Sequence, residues 1–145
     1  MTFLLDTNVL VYPHDRGEEK KAERATEVLR SLTQSGRAVL PAQALAEFSS
    51  VTLRKFKLPF QAVYEQLEDL SKIFPVLPLE AWVILEALRG VRDHQFSYYD
   101  AQVWAAAKLY QVPVVLSEDF SSGATLEGVT FINPFEAEFD LSLLG

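Results

Sequence analysis

The stretch Val112-Pro113-Val114-Val115-Leu116-Ser117-Glu118-Asp119 decides the fold of this chain. Its first part is apolar and rich in valine, which is typical of a strand buried on both faces in a parallel sheet. The polar Ser-Glu-Asp sequence that follows marks the end of that strand. The stretch therefore predicts a buried parallel strand over Val112–Leu116 with acidic residues at its carboxyl end.

Outside this stretch, short apolar runs predict further strands, and longer periodic segments predict helices. The predicted strands are Phe3–Leu5, Ala38–Leu40 and Val129–Ile132. The predicted helices are Glu18–Ser35, Ala42–Phe56, Phe60–Phe74, Glu80–Val91 and Tyr98–Tyr110. Val76–Leu77 is too short to assign, and Asp6-Thr7-Asn8 is interpreted as a turn. Strands that alternate with helices indicate an α/β fold with a mostly parallel central sheet.

The spacing of the apolar residues also predicts which side chains face the core. In the helix over Glu80–Val91 it places Trp82, Leu85 and Leu88 on the inner face. The stripe in the Phe60–Phe74 helix is interpreted as core or as a dimer interface. The Tyr98–Tyr110 helix is apolar nearly all round, which is typical of a buried helix.

Length and composition limit the class of protein. The chain has 145 residues, 49% of them hydrophobic, so we expect a single folded domain over residues 1–145. It has no cysteine, which excludes disulfides and thiol catalysis, and no apolar run long enough for a membrane span. We therefore expect a cytoplasmic protein. The net charge of -7 argues against broad, sequence-independent binding of duplex DNA.

Acidic residues stand where predicted strands give way to helices. Asp6 follows the first strand, and Glu118 and Asp119 follow the valine-rich strand. Glu47 lies about a turn and a half into the helix after the second strand, and Asp100 lies in the first turn of the buried helix. Because parallel α/β sheets bind ligands at the carboxyl ends of their strands, we expect these carboxylates to converge at one sheet edge.

Carboxylates held close together repel one another unless a cation neutralises them. Oxygen-rich sites of this kind suit Mg²⁺ or Mn²⁺. The chemistry that such a site supports is metal-assisted hydrolysis of a phosphodiester.

Each acid also has a structural explanation. Asp6 is suited to an Asx turn, and Asp100 completes a capping box that begins at Ser97. Glu47 is of a type most often found on a solvated helix face. Spacing alone does not choose between Glu118 and Asp119. The joint pattern favours a site, because turn and cap chemistry predict no convergence.

The same residues resemble the acidic motifs of PIN domains, in the usual order and at the usual separations. The matching segments are Leu4-Leu5-Asp6-Thr7-Asn8-Val9-Leu10, Ala46-Glu47-Phe48, Tyr99-Asp100-Ala101 and Leu116-Ser117-Glu118-Asp119-Phe120. The ending, from Leu126-Glu127-Gly128-Val129 to Asn133-Pro134-Phe135, is similar to that of bacterial VapC-type toxins. The resemblance extends over essentially the whole chain.

The resemblance implies a metal-dependent endoribonuclease on a three-layer α/β/α sandwich. Its catalytic, metal-binding residues are those that match the four family acids: Asp6, Glu47, Asp100 and Asp119. Thr7, Asn8 and Ser117 match polar positions that support the metal shell. It also implies a homodimer and, for the toxin of a type II toxin-antitoxin pair, a cognate antitoxin protein.

Basic residues near the acids are candidates for contact with RNA phosphates. Arg54, Lys55 and Lys57 follow Glu47 along the chain. Arg89 and Arg92 come shortly before Asp100 in the sequence. The alternative is that these cations simply stabilise solvated helix ends.

Two other functions compete with the nuclease. One is a small Mg²⁺-dependent phosphohydrolase of the haloacid-dehalogenase or receiver kind. Against it, Thr-Asn follows Asp6 in place of an Asp-x-Asp pattern, and no lysine is clearly placed beside the last acidic loop. The other is a non-catalytic module that binds RNA or protein, with the acids serving as caps.

Overall fold

The computed structural model describes all residues, 1–145, and contains six strands and six α-helices. The strands are β1 Phe3–Leu5, β2 Ala38–Pro41, β3 Val76–Leu77, β4 Val114–Leu116, β5 Thr125–Leu126 and β6 Val129–Ile132. The helices are α1 Thr7–Val11, α2 Glu19–Ser35, α3 Ala42–Arg54, α4 Phe60–Ile73, α5 Ala81–His94 and α6 Tyr98–Leu109. Short 3₁₀ helices cover Tyr12–His14 and Leu141–Leu144.

The strands form one sheet in the order β3-β2-β1-β4-β6-β5. All neighbouring strands are parallel except the terminal β5–β6 pair, which is antiparallel. The central pair is β1 and β4, in which Leu5 lies opposite Leu116 and every residue is buried. Their carboxyl ends are therefore adjacent, and the residues that follow them meet at one edge of the sheet.

Helices cover both faces of the sheet, which confirms the three-layer α/β/α sandwich. Residues of α1, α2 and α3 pack with Phe3 and Leu5 on one face. Residues of α5 and α6 pack with Leu4 and Phe131 on the other face, around the fully buried Trp104. The alternation of side chains along β1 explains why neighbouring leucines belong to different layers.

The boundaries of several elements differ from the predictions. The residues after Asp6, predicted as a turn, begin helix α1 instead. The fourth strand begins at Val114, not Val112, because Pro113 has no N–H for the ladder and only its carbonyl is bonded, by Thr130 N at 2.9 Å. The chain also forms the two-residue strands β3 and β5, which the sequence left unassigned.

The predicted inner face of α5 is wrong. Val83 and Ala87 are buried, while Trp82, Leu85 and Leu88 are exposed. Helix α5 packs on α6 through small residues: a Cβ added to Gly90 would lie 2.7 Å from the Trp104 ring. This close approach rotates the large side chains of α5 outward, an outcome that hydrophobic spacing alone does not reveal.

The stripe on α4 is core at only some of its positions. Val63 and Phe74 are buried, but Phe60 and Tyr64 are exposed. No helix of the chain has the length and apolar character needed to cross a membrane.

Candidate metal centre

Three carboxylates converge at the carboxyl ends of β1 and β4. Asp6 directly follows β1, and its backbone N–H donates to Leu116 O at 3.1 Å. Asp119 lies in the loop after β4, and Asp100 lies in the first turn of α6. One ligand oxygen from each of the three lies within 4.8 Å of the others.

Asp6 is the most deeply buried of these acids, with 5% of its surface exposed. Its Oδ1 accepts from Thr7 N at 2.7 Å, which caps α1, and its Oδ2 accepts from Ser117 Oγ at 2.7 Å. The pKa of Asp6 is raised from 3.8 to about 7, mainly by burial. The hydrogen bonds from Ser117 and Thr7 act against this rise, and the charges of Asp119 and Asp100 add to it. Asp6 thus caps α1 and also belongs to the group of converging carboxylates.

The pKa values of the other two carboxylates are also raised. Burial is the main cause that raises the pKa of Asp100, and the charge of Glu47 adds to it. Burial also raises the pKa of Asp119, and the charge of Asp100 acts in the same direction. A hard divalent cation would relieve this repulsion, so the donor set fits Mg²⁺ or Mn²⁺ chemically.

Asn8 and Ser117 connect the first turn of α1 to the loop after β4. Asn8 Nδ2 donates to Ser117 Oγ at 3.1 Å and to Asp119 Oδ2 at 3.3 Å. Asp119 N donates to Ser117 Oγ at 3.1 Å. These bonds fix the direction of the Asp119 carboxylate relative to Asp6.

Glu47 lies beside the three-carboxylate group and not within it. Its Oε2 accepts from Thr7 Oγ1 at 3.2 Å, and its Oε1 accepts from Gln43 Nε2 at 2.7 Å. Together with Thr7, Asn8 and Asp119, it lines a cavity of about 250 Å³. The predicted metal residues are therefore in one neighbourhood, with Glu47 at its border.

The structure separates Glu118 from Asp119. The Glu118 carboxylate accepts from Lys21 Nζ at 3.0 Å and from the Tyr12 hydroxyl. Lys21 also lies 5.0 Å from the centre of the Tyr12 ring. Asp119 is thus the acid that joins Asp6, whereas Glu118 ties its loop to α2.

Of the predicted basic residues, Arg54 and Lys55 line cavities beside the acids. Arg54 lines a cavity of about 570 Å³ between α3 and α6, and Lys55 lines the smaller cavity that Asp119 borders. Lys57 is exposed in the loop after α3, with a φ of 52°.

Arg89 and Arg92 are engaged in ion pairs on α5. Arg89 binds Glu86, Asp93 at 3.1 Å and Glu127 at 2.7 Å. Arg92 pairs with Asp93 at 2.7 Å. Their contact with RNA stays a prediction. In the structure Arg89 ties α5 to Glu127, whereas the pair made by Arg92 lies within α5.

Sequence reasoning did not select Gln43 or Gln102, which line the larger cavity together with Glu47. A signal was present for both. Gln43 lies one helical turn before Glu47, and Gln102 is a polar residue in an otherwise apolar stretch of α6.

The comparisons with known proteins show the family of the chain. The family model of the PIN domain matches residues 3–121, a range that contains all four predicted acids. The chain belongs to the PIN domain family.

Among solved structures, the fold is similar to that of VapC20 of Mycobacterium tuberculosis, which is described as a sarcin-ricin-loop-cleaving toxin. The two are 18% identical, the match covers 87% of this chain and 98% of that chain, and the TM-score is 0.65. No curated protein matches this chain.

Proposed function

We propose that this chain is a Mg²⁺- or Mn²⁺-dependent endoribonuclease, and that it is the toxin of a type II toxin-antitoxin pair. The observation that carries the proposal is the convergence of Asp6, Asp100 and Asp119 within 4.8 Å at the carboxyl ends of the central strands. Membership of the PIN domain family and the fold shared with an RNA-cleaving toxin support it.

In this proposal Asp6, Asp100 and Asp119 hold the metal, and Glu47 completes the site from α3. Lewis-acid stabilisation of charge on a phosphodiester is the chemistry that a bound divalent ion supplies. The chain's own residues contribute by orienting the carboxylates.

The orienting contacts come from the neighbours of the acids. Ser117 donates to Asp6, and Asn8 donates to Asp119. Thr7 and Gln43 hold the Glu47 carboxylate from two sides. Because these bonds exist before any ligand arrives, little rearrangement is needed when one binds.

The structure bears on the two competing functions. A set of acids that served only as caps would have no reason to meet, yet Asp6 caps α1 with one oxygen and faces Ser117 with the other. Against a phosphohydrolase of the haloacid-dehalogenase or receiver kind, Thr-Asn follows Asp6 in place of an Asp-x-Asp pattern. The expectation that no lysine lies beside the last acidic loop is wrong, because Lys21 pairs with Glu118 there and Lys55 lines the cavity that Asp119 borders. The residues after Asp6 and membership of the PIN domain family favour the nuclease.

The proposed partners are an RNA substrate, a second copy of the chain and an antitoxin protein, all in the cytoplasm. Trp82, Leu85 and Leu88 form an exposed apolar row on α5, and 67% of the Leu85 surface is exposed. Such a row supports a dimer because large apolar patches on a protein surface often mark interfaces. A small neighbouring gene for a DNA-binding protein would support the toxin assignment.

A cleavage assay tests the proposal. The purified chain is incubated with structured RNA in Mn²⁺ or in EDTA, and the products are resolved on a gel. We expect cleavage only with Mn²⁺, its loss in Asp119→Ala, and its retention in Glu118→Gln, which keeps an oxygen for Tyr12. Loss of activity in Glu118→Gln but not in Asp119→Ala would show that Glu118, and not Asp119, is the acid that the reaction needs. Equal cleavage in EDTA would exclude the metal mechanism.

A further inference from the structure

Gln102 is a buried polar residue whose side chain has no partner in the chain. Only 5% of its surface is exposed, and its side-chain amide forms no hydrogen bond within the protein. The amide is not sealed in the core, since Ser35 Oγ is the only buried side-chain atom that lacks both a partner and access to solvent. Gln102 instead lines the cavity of about 570 Å³ between α3 and α6. The amide is therefore available to a ligand in the cavity, and a ligand that shut out water without bonding to it would leave it unpaired at a cost.

The other walls of this cavity offer an aromatic ring and a cation. Tyr99 stands at the rim with 63% of its surface exposed. Arg54 forms no ion pair, and only its Nε is engaged, donating to Ser50 Oγ at 3.0 Å. The remaining guanidinium N–H groups are free to bind a phosphate.

The cavity shares a wall, formed by Glu47 and Val51, with the smaller cavity beside the metal centre. Glu47 lines both the larger cavity and the smaller one that contains Asp119. Gln43 reinforces this shared wall because its Nε2 donates to Glu47 and, at 3.3 Å, to Tyr99 O. An RNA that places a phosphate at the acids would bring its neighbouring nucleotide to this shared wall.

We propose that this cavity binds a single unpaired nucleobase of the RNA, next to the phosphate that is cleaved. The inference rests on the proposed function and adds to it a determinant of specificity. The Gln102 amide presents a donor and an acceptor side by side, which matches the paired groups on a base edge. Tyr99 stacks on the face of the base, as aromatic side chains do in single-stranded RNA recognition. Arg54 binds an adjacent phosphate.

The chemistry of the lining favours RNA over a protein side chain as occupant. An apolar side chain of a partner protein would leave the Gln102 amide unpaired, and the cost of burying that amide would remain. A nucleobase satisfies the amide and covers the Tyr99 ring at the same time.

The test measures binding of short homopolymeric RNAs of adenosine, cytidine or uridine by fluorescence anisotropy in Mn²⁺. All variants are made on Asp119→Ala so that the RNA is not cut. We expect the parent to prefer one base. Gln102→Leu should weaken binding of that preferred RNA about tenfold, so that the affinities for the three RNAs become similar. Tyr99→Leu should weaken all three by about tenfold because every base has a face for stacking.

Gln34→Leu is the matched control, since Gln34 is exposed on α2 away from the cavity. It should bind all three RNAs as the parent does. Gln102→Leu should fold, with a melting temperature equal to or above that of the parent, because it removes an amide that has no partner.

Two failures are distinguishable. If the chain without Asp119→Ala cleaves RNA, but Gln102→Leu binds like Gln34→Leu, the nucleobase pocket is refuted and the nuclease stands. The same conclusion follows if Gln102→Leu weakens binding to a protein partner and leaves RNA binding unchanged. If the Asp119→Ala chain does not bind RNA and the chain without that change does not cleave it, the proposed function itself fails.

Discussion

Replacing Asp6 by asparagine tests whether the acidic cluster is strained in the absence of a metal. Burial raises the pKa of Asp6 from 3.8 to about 7, so the folded state favours the protonated carboxyl. Below about pH 4 Asp6 is neutral in both states and costs nothing. As the pH rises from 3.8 to about 7, the unfolded state loses its proton first, and the folded state is progressively destabilised. Above about pH 7 the cost is constant.

The size of this cost follows from the two pKa values. At about 1.4 kcal/mol per pKa unit, the ionised Asp6 costs the folded state about 4 kcal/mol near pH 8.5 and less than half of that near pH 5. Asparagine carries no charge and avoids this cost, but it loses the hydrogen bond from Ser117 Oγ, worth about 1–3 kcal/mol. Asp6→Asn should therefore be about 2 kcal/mol more stable than the parent near pH 8.5. Its advantage should shrink by about 2–3 kcal/mol near pH 5.

Urea unfolding in EDTA, followed by tryptophan fluorescence at both pH values, measures these free energies. Asp69→Asn, at an exposed position on α4, is the matched control, and its effect should be the same at the two pH values. A variant that is less stable than the parent near pH 8.5 would refute the reasoning. So would an Asp6→Asn effect that does not change with pH.

Three further predictions concern the metal, the packing and the ion pairs. Saturating Mn²⁺ should stabilise the parent by about 2–3 kcal/mol in thermal unfolding and Asp100→Asn by much less; an equal gain in both would exclude Asp100 as a ligand. Gly90→Ala should lower the free energy of unfolding by about 1–3 kcal/mol, because the new Cβ lies 2.7 Å from the Trp104 ring. A stabilised Gly90→Ala would mean that the helices separate without cost. Glu127→Gln weakens contacts with three basic side chains, so it should destabilise by about 1 kcal/mol at low salt and by less at high salt. A loss that is independent of salt would rule out the ion pairs as its cause.

Much of the fold follows from local patterns. Short apolar runs ended by Pro, Gly or acidic residues gave strands, and the 3.6-residue spacing gave helices within a few residues of their observed ends. The buried helix α6 was predicted because apolar residues, many of them alanines, occupy nearly all of its faces. The inner face of α5 was predicted wrongly because Gly90, a residue with no hydrophobic signal, sets how closely that helix approaches its neighbour.

The sequence by itself determined that acids stand at the ends of strands. The strand order of a parallel sheet then places those ends at one edge. Spacing left open which acid after β4 enters the cluster, and the resemblance to PIN domains selected Asp119. The tertiary structure brings Asp119 to Asp6 and Asp100, whereas Lys21 on α2 binds Glu118. Only the tertiary structure, too, showed that Glu47 borders the cluster and that Gln102 faces a cavity. The reason is physical: strand ends are set by local chemistry, but the direction of a side chain is set by partners distant along the chain.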